Sequence, residues 1–286
     1  MRWQTSRRSE NVEDQRRQGI PRGPAIGGGL AIIILLVGLL LGGDPAALLE
    51  TIGGSTTQQS IPTSEQGQMS PADETARDFV AAVLGETEDV WRQLFARNGG
   101  TYQEPRLVLF SGSTESACGY ASAATGPFYC SADQRVYLDM EFFRELENRF
   151  GAPGDFAQAY VISHEIGHHV QNLLGIMDKV NAMRERASER DANQLSVRLE
   201  LQADFFAGVW AHHADRTRNV LEPGDIEEAL NAATAIGDDR IQKRTQGYVV
   251  PDAFTHGTSE QRMRWFRRGY ETGDMRQGDT FAPDEP

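Results

Sequence analysis

Apolar side chains recur every three to four residues through much of the second half of the chain, a spacing typical of amphipathic helices. The stretch DFAQAYVISHEIGHHVQNLLG shows this pattern. We expect a helix over 156–174 that ends at Gly175, because glycine is common just beyond a helix C-terminus. The same reasoning predicts further helices at 191–213, from residue 222 to the mid-240s, and after the cap-like pair Thr258 and Ser259.

The region before residue 140 combines helical and strand-like patterns. Ser70 and Pro71, followed by acids, are typical of a helix N-cap and first turn, so we expect the folded domain to begin at Ser70. Apolar spacing indicates one helix to about Leu84 and a second over 86–97. Short apolar runs bounded by Gly or turn residues predict strands at 105–112, 126–130 and 135–140. The sequence therefore predicts an α+β fold, a small sheet with a mainly helical body.

One stretch is apolar without any polar periodicity. No charged residue occurs from Gly23 to Gly43, a length that spans about 30 Å as a helix, close to the thickness of a bilayer core. Arginines precede this stretch and no Lys or Arg follows it until Arg77, so the positive-inside rule places the N-terminus in the cytoplasm and the rest outside. A cleaved signal peptide is the alternative, and it would also export the rest of the chain.

Charge and cysteine content refine this interpretation. The chain carries a net charge of −13, and its first 24 residues hold six Arg and three acids, which leaves −16 for the remainder. A segment this acidic repels the phosphate groups of nucleic acids, and this excludes nucleic-acid binding. In an exported domain the two cysteines, Cys118 and Cys130, are expected to form a disulfide, although two thiols remain the alternative.

These patterns divide the chain into five segments. They are a basic, disordered, cytoplasmic segment (1–24), a transmembrane helix (25–43), a flexible Gly/Ser/Thr/Gln-rich linker (44–69), a folded domain (70–273) and a loose polar tail (274–286).

The predicted helix at 156–174 contains the motif HExxH. His164 and His168 are four residues apart, so their imidazoles share one helix face and can bind one ion. Glu165 lies beside that face, where it can accept a proton from the attacking water. Two imidazoles leave a tetrahedral zinc site incomplete, so a third protein ligand is required.

The next helix supplies a second pair spaced four apart, in ELQAD. Glu200 can complete the ligand set while Asp204 hydrogen-bonds the outer nitrogen of a ligand histidine, although the two roles can also be exchanged. A purely structural alternative is a histidine-rich helix that hydrogen-bonds to Glu200 without metal. Of the remaining histidines, His169 points away from the motif face and is not expected to be a ligand, while His212 and His213 are expected to be exposed near a helix C-terminus.

Three stretches, HEIGHHVQ, ELQADFFAGVW and FTHGTSEQR, resemble the bacterial neutral zinc metallopeptidases, a group of membrane-anchored zincins. CGYASAATGPFYCSADQRVYLD is similar to the segment that precedes their active-site helix. The resemblance covers about 70 to 272 and implies a zincin-like fold, one Zn²⁺ per chain and Glu200 as the third ligand. It further implies that the strand before the active-site helix, at 135–138, receives extended substrate.

An oxyanion donor is also needed for peptide hydrolysis. His256, in the loop THGTSEQR, resembles the downstream histidine of related zincins, and Arg262 and Tyr248 are weaker alternatives. We therefore expect a single-pass, membrane-anchored zinc endopeptidase whose metallopeptidase domain faces the extracytoplasmic side and cleaves peptides or proteins. Its oligomeric state does not follow from the sequence. The alternatives are an inactive zinc-bearing scaffold or binding protein of the envelope and an interaction domain without metal.

Overall fold

The computed structural model describes residues 1–16, 70–122 and 125–283. In these ranges the fold is mixed α and β and mostly helical, as predicted. None of the described helices combines the length and apolar character that crossing a bilayer requires. The predicted transmembrane helix (25–43) and linker (44–69) lie outside the described residues. In chain order the elements are β1 (Val12–Asp14), α1 (Pro71–Arg97), β2 (Arg106–Phe110), β3 (Ser113–Ser116), β4 (Gly119–Ser122), β5 (Phe128–Cys130), β6 (Arg135–Asp139), α2 (Glu141–Asn148), α3 (Asp155–Leu173), α4 (Ile176–Arg184), α5 (Glu189–Arg218), α6 (Asp225–Ala235), α7 (Asp238–Gln246) and α8 (Ser259–Thr272).

The main sheet has the strand order β1-β2-β6-β5. Strands β1, β2 and β6 are parallel, whereas β5 is antiparallel to β6, and β3 and β4 form a separate hairpin. Because β6 is paired on both sides, the expectation that it receives substrate is wrong: its hydrogen-bonding edges are already used. Among the described strands, β5 is the terminal strand on that side.

The sheet and the helices share one large core. Leu107 and Leu109 of β2 and Val136 of β6 face this core, while Val108 and Tyr137 face a smaller cluster that contains Cys130. Alternate residues therefore bury both faces of the sheet, as expected for a strand covered on both sides. Among the described residues, the largest buried side chains include Trp91, Trp210 and Trp265.

Glycines allow α5 and α8 to approach closely at the centre of this core. A Cβ atom at Gly269 would lie 2.1 Å from the carbonyl oxygen of Phe205, and one at Gly208 would lie 2.1 Å from that of Phe266. Any larger residue would force the two helices apart. Helix α8 therefore lies directly against α5, next to the Glu200–Asp204 stretch.

Two predicted helix boundaries are wrong. The two helices expected over 70–97 are one continuous helix, α1. Gly85 lies inside this helix and does not end it. Its lack of a side chain makes room for Arg7, whose carbonyl oxygen lies 2.5 Å from the position that a Cβ atom of Gly85 would occupy. The single helix expected from residue 222 is two helices, α6 and α7, separated around Gly237, whose Cβ would lie 2.6 Å from the amide nitrogen of Ser259. In both places glycine serves tertiary packing.

The prediction of a disordered N-terminus is wrong for residues 1–16. Val12 to Asp14 form β1, which pairs with Leu107 to Leu109 of β2, and Val12 is buried in the main core. The local composition is polar, and the order comes instead from β2, which is far away in the chain.

The prediction of a loose tail is also wrong for residues 274–283. Thr280 is fully buried, its backbone carbonyl accepts a hydrogen bond from Arg198 Nη1 at 2.6 Å, and Gln202 Nε2 donates to the carbonyl of Gly278 at 2.7 Å. The polar side chains of α5 thus bind the backbone of the tail, a contact that composition alone does not reveal.

The structure joins Cys118 to Cys130 in a disulfide, as predicted. Cys130 ends β5 and is buried, and Cys118 lies between β3 and β4. The bond therefore links the β3–β4 hairpin to the terminal strand of the main sheet.

Candidate metal centre

Helix α3 carries the HExxH residues through the core. It begins at Asp155 and ends before Gly175, which has a φ of 67° in the left-handed region, so the predicted helix end is confirmed. His164 and His168 lie on one face with their ring centroids 4.9 Å apart. Both side chains, and that of Glu165, are buried. The apolar neighbours Ile162, Ile166 and Val170 pack into the core, and the imidazoles lie opposite α5.

Glu200 of α5 completes a group of three metal-binding side chains. Its Oε2 lies 3.1 Å from His164 Nε2 and its Oε1 lies 3.4 Å from His168 Nε2. The ligand atoms of the three residues all lie within 4.8 Å of one another, so they could hold a metal ion. Two imidazole nitrogens and one carboxylate form a ligand set that suits zinc and leaves one tetrahedral position for water or substrate.

Gly167 sets the distance between the two ligand-bearing helices. A Cβ atom at this position would lie 2.8 Å from the carbonyl oxygen of Ala203 and 3.0 Å from its Cα. The absence of a side chain lets α3 and α5 approach closely, which brings Glu200 within reach of the imidazoles. The glycine inside the motif is thus a packing requirement of the site.

Each of the two candidate ligand histidines is held by a second hydrogen bond on its far side. His164 Nδ1 lies 2.8 Å from Asp204 Oδ1, and His168 Nδ1 lies 2.9 Å from Gln171 Oε1. A carboxylate and an amide oxygen accept hydrogen bonds, so each Nδ1 carries a proton and Nε2 is the nitrogen that faces Glu200. Sequence reasoning predicted the contact of Asp204 but missed Gln171, which its position three residues after His168 could have indicated.

Asp204 is itself part of a buried network. Arg262 donates to both of its oxygens, from Nε at 2.8 Å and Nη2 at 2.9 Å, and the hydroxyl of Tyr160 donates at 2.5 Å. Arg262 and Asp204 are almost fully buried. Sequence reasoning considered Arg262 as an oxyanion donor only, whereas here it neutralises the acid behind His164.

The electrostatics of the group favour a cation between the imidazoles and Glu200. Burial lowers the pKa of His164, but Asp204 and Glu200 outweigh it and raise that pKa to about 10. Although burial raises the pKa of Glu200, His168 and His164 hold it well below its usual range. For Asp204, burial again raises the pKa, yet Arg262 and His164 bring it down to about 2. The carboxylates remain ionised and attract positive charge to this point.

Glu165 occupies the wall of a cleft next to the three ligands. Burial raises the pKa of this carboxyl group, partly opposed by His164 and His168. The cleft has a volume of about 890 Å³ and is also lined by His164, His168, Glu200, Arg262 and His256. Its apolar lining includes Phe128, Tyr129, Phe142, Phe150, Met177 and Leu199.

The three candidate oxyanion donors have different positions. His256 lines the cleft with its side chain 52% exposed, and its Nδ1 lies 3.2 Å from Asp238 Oδ1. Arg262 also lines the cleft but is bound to Asp204. Tyr248 is 63% exposed and is not among the residues that line the cleft.

The other histidines have structural partners. His169 is buried and donates from Nε2 to the carbonyl of Gln103, and the Tyr129 hydroxyl lies 3.0 Å from its Nδ1. His212 and His213 are half-buried, and their rings donate to the carbonyls of Tyr270 and Gly273. The expectation that this pair is exposed is wrong, because both rings are half-buried against the chain around Tyr270 and Gly273; their position in the C-terminal part of α5, which ends at Arg218, is as expected.

Comparison with known proteins agrees with this site. The family model described as "Putative neutral zinc metallopeptidase" matches residues 1–281. The chain is 48% identical over 289 residues to "Uncharacterized protein YpfJ" of Escherichia coli (strain K12), covering 99% of each chain. It is 40% identical over 257 residues to "Uncharacterized protein Rv2575" of Mycobacterium tuberculosis, covering 85% of each. No solved structure matches the chain.

A family match over nearly the whole length, together with relatives of this identity, leaves no doubt about kinship. The chain belongs to the family described as putative neutral zinc metallopeptidase.

Proposed function

We propose that the protein is a zinc-dependent endopeptidase that binds one zinc ion through His164, His168 and Glu200. The observation that carries the proposal is the convergence of these three side chains from α3 and α5, with their ligand atoms within 4.8 Å of one another. A bound zinc ion supplies Lewis acidity next to the cleft.

Glu165 is the proton carrier in this proposal. It accepts a proton from the attacking water and delivers it to the departing amine. Burial raises the pKa of its carboxyl group, which suits a group that must both accept and release a proton. Asp204 holds His164 with Nδ1 protonated, and Arg262 and Tyr160 fix the position of Asp204.

His256 is the proposed donor to the oxygen of the tetrahedral intermediate. The hydrogen bond with Asp238 raises the pKa of His256, which favours the protonated, donating form. Half of its side chain is exposed on the cleft, so it can approach a bound substrate.

The substrate is proposed to bind as an extended strand along β5. This strand is terminal in the main sheet, and both Phe128 and Tyr129 line the cleft. The Tyr129 hydroxyl lies 3.0 Å from His169 Nδ1 and accepts a hydrogen bond from Asn172, which fastens β5 to the helix that carries the metal ligands. A peptide paired with β5 would therefore pass next to Glu165.

Membrane attachment and an extracytoplasmic domain are also part of the proposal. Their support is the uncharged run at 25–43, which lies outside the described residues, and the Cys118–Cys130 disulfide, since such bonds persist in oxidising compartments.

The decisive experiment compares the purified full-length chain with its Glu165→Gln variant. Both should bind about one zinc per chain by metal analysis, while hydrolysis of a mixed peptide library should fall by about 10² to 10⁴-fold in the variant. Glu145→Gln is the matched control, because Glu145 also lines the cleft but lies outside the ligand group. Zinc binding without any hydrolysis by the wild type would favour the inactive scaffold. Absence of zinc would exclude the proposed enzyme.

A further inference from the structure

Residues 1–16 are bound to the folded domain as a strand of its main sheet. The amide of Leu107 donates to the carbonyl of Asn11 at 2.9 Å, and the amide of Gln15 donates to the carbonyl of Leu109 at 2.8 Å. Val12 of β1 is buried in the same core as helix α3. The segment thus extends the sheet at the edge of β2 opposite to the cleft-side strand β5.

A buried acid of α1 is built to receive this segment. Glu88 is fully buried, and its carboxylate accepts hydrogen bonds from the Ser9 hydroxyl at 2.5 Å, Asn11 Nδ2 at 2.8 Å and Arg7 Nη2 at 2.5 Å. Without residues 1–16, Arg92 at 3.5 Å would be the remaining charged partner that the structure gives this carboxylate. An ionised group at this depth requires such partners.

Helix α1 also matches residues 1–16 in shape, and it forms a second ion pair with them. The carbonyl oxygen of Arg7 lies 2.5 Å from the position that a Cβ at Gly85 would occupy, so the surface of α1 accommodates this backbone. Arg8 forms a two-pronged ion pair with Asp78, with its Nε and Nη2 each 2.7 Å from a carboxylate oxygen.

We propose that residues 1–16 are an integral part of the domain formed by residues 70–283 of the same chain, and that both lie on the same side of the membrane. A chain that crossed the bilayer once between Arg16 and Ser70 would place them on opposite sides, where none of these contacts can form. The shared location replaces the cytoplasmic N-terminus expected from the sequence, and it does not depend on the proposed peptidase activity.

The arginines that suggested a cytoplasmic N-terminus have another use. Arg7 pairs with Glu88, Arg8 with Asp78, and Arg16 with Asp14. The positive-inside rule rests on arginine side chains whose free positive charge keeps them on the cytoplasmic face. These three arginines are neutralised within their own domain and no longer support that orientation.

The first test measures sidedness in the full chain by cysteine labelling. Glu10 and Glu185 are exposed, and the native cysteines are disulfide-bonded, so Glu10→Cys and Glu185→Cys each provide one reactive thiol. In right-side-out membranes an impermeant maleimide should label both variants equally without permeabilisation.

Labelling of Glu10→Cys only after permeabilisation, with Glu185→Cys labelled from outside, would overturn the proposal. If both thiols became accessible only after permeabilisation, the two parts would still share one side, and the extracytoplasmic location proposed above would be wrong instead.

The second test addresses docking itself. Arg8→Glu and Asp78→Arg should each lower the Tm of the full-length protein by about 2 to 4 °C, and the double variant should recover most of the loss. The exposed pair of Arg190 and Asp252 serves as the control. Reversing either charge of this pair should change the Tm little. No response in the Arg8 and Asp78 variants would contradict docking. A dimer that dissociates on Arg8→Glu would assign the segment to a second copy and overturn its assignment to the same chain.

Discussion

The Nδ1 atom of His164 lies 2.8 Å from Asp204 Oδ1, on the opposite side of the ring from Glu200. This contact fixes which nitrogen of the imidazole carries its proton and how the ring is oriented. Because Asp204 is bound in turn by Arg262 and Tyr160, side chains from α3, α5 and α8 meet behind one ligand. The site is therefore oriented by the packing of three helices.

Asp204→Asn should weaken zinc binding by about 10 to 100-fold, because the amide no longer provides the negative charge that holds His164 and pairs with Arg262. Competition with a chromogenic chelator measures the affinity. Asp191→Asn, an exposed acid on the same helix, is the control and should bind zinc as the wild type does. Unchanged affinity in the Asp204 variant would show that this hydrogen bond does not orient the ligand.

Gly167→Ala should lower turnover on the order of tenfold or more and destabilise the fold by about 1 to 3 kcal/mol. The added methyl group would lie 2.8 Å from the Ala203 carbonyl, so α3 and α5 must separate and Glu200 must move away from the imidazoles. Steady-state kinetics and urea unfolding measure the two effects. Gly100→Ala is the control, since its new Cβ would lie at an ordinary 3.4 Å from the Phe95 ring. Equal behaviour of the two variants would contradict this account.

We expect the free energy of unfolding to fall at acidic pH because His169 is buried. Burial lowers the pKa of this imidazole to about 4 from 6.5, although the hydrogen bond to Gln103 opposes the shift. Between pH 6.5 and pH 4, His169 is protonated in the unfolded chain but neutral in the folded chain. The stability is therefore complete above pH 6.5 and is lost as the pH falls toward 4, by about 2 kcal/mol at pH 5.

His169→Phe removes the titrating group. The difference in unfolding free energy between wild type and this variant should therefore narrow by about 2 kcal/mol between pH 7.5 and pH 5, as measured by urea denaturation. Protonation of other groups is common to both proteins. A difference that stays constant with pH would show that His169 is not a neutral buried residue in the folded state.

Removal of the Cys118–Cys130 disulfide should cost about 3 kcal/mol, because the unfolded chain loses the constraint on a loop with a sequence separation of 12. Thermal unfolding of the Cys118→Ser, Cys130→Ser variant measures this. As a control, both proteins are also measured with reductant. Reductant should lower the Tm of the wild type and leave the Tm of the variant unchanged. Loss of peptide affinity should accompany the change if β5 receives substrate, because Cys130 ends that strand.

Sequence reasoning located the candidate ligands because their signal is local. The four-residue spacing of His164 and His168 on one helix, and of Glu200 and Asp204 on another, is a property of the helical repeat. The helix containing HExxH and its end before Gly175 follow from the same periodicity. These features depend on neighbouring residues and not on how the chain folds back on itself.

Tertiary structure decided what depends on distant partners. The polar segment around Val12 becomes a strand only because β2 offers an unpaired edge, and the glycines at 85 and 237 act through the backbone packed against them. Strand order made β5 and not β6 the terminal strand. Arg262 reached Asp204 only because α8 packs closely on α5. Periodicity specifies which face of an element is apolar, but the identity of the neighbour that covers it is set by the global arrangement of the chain.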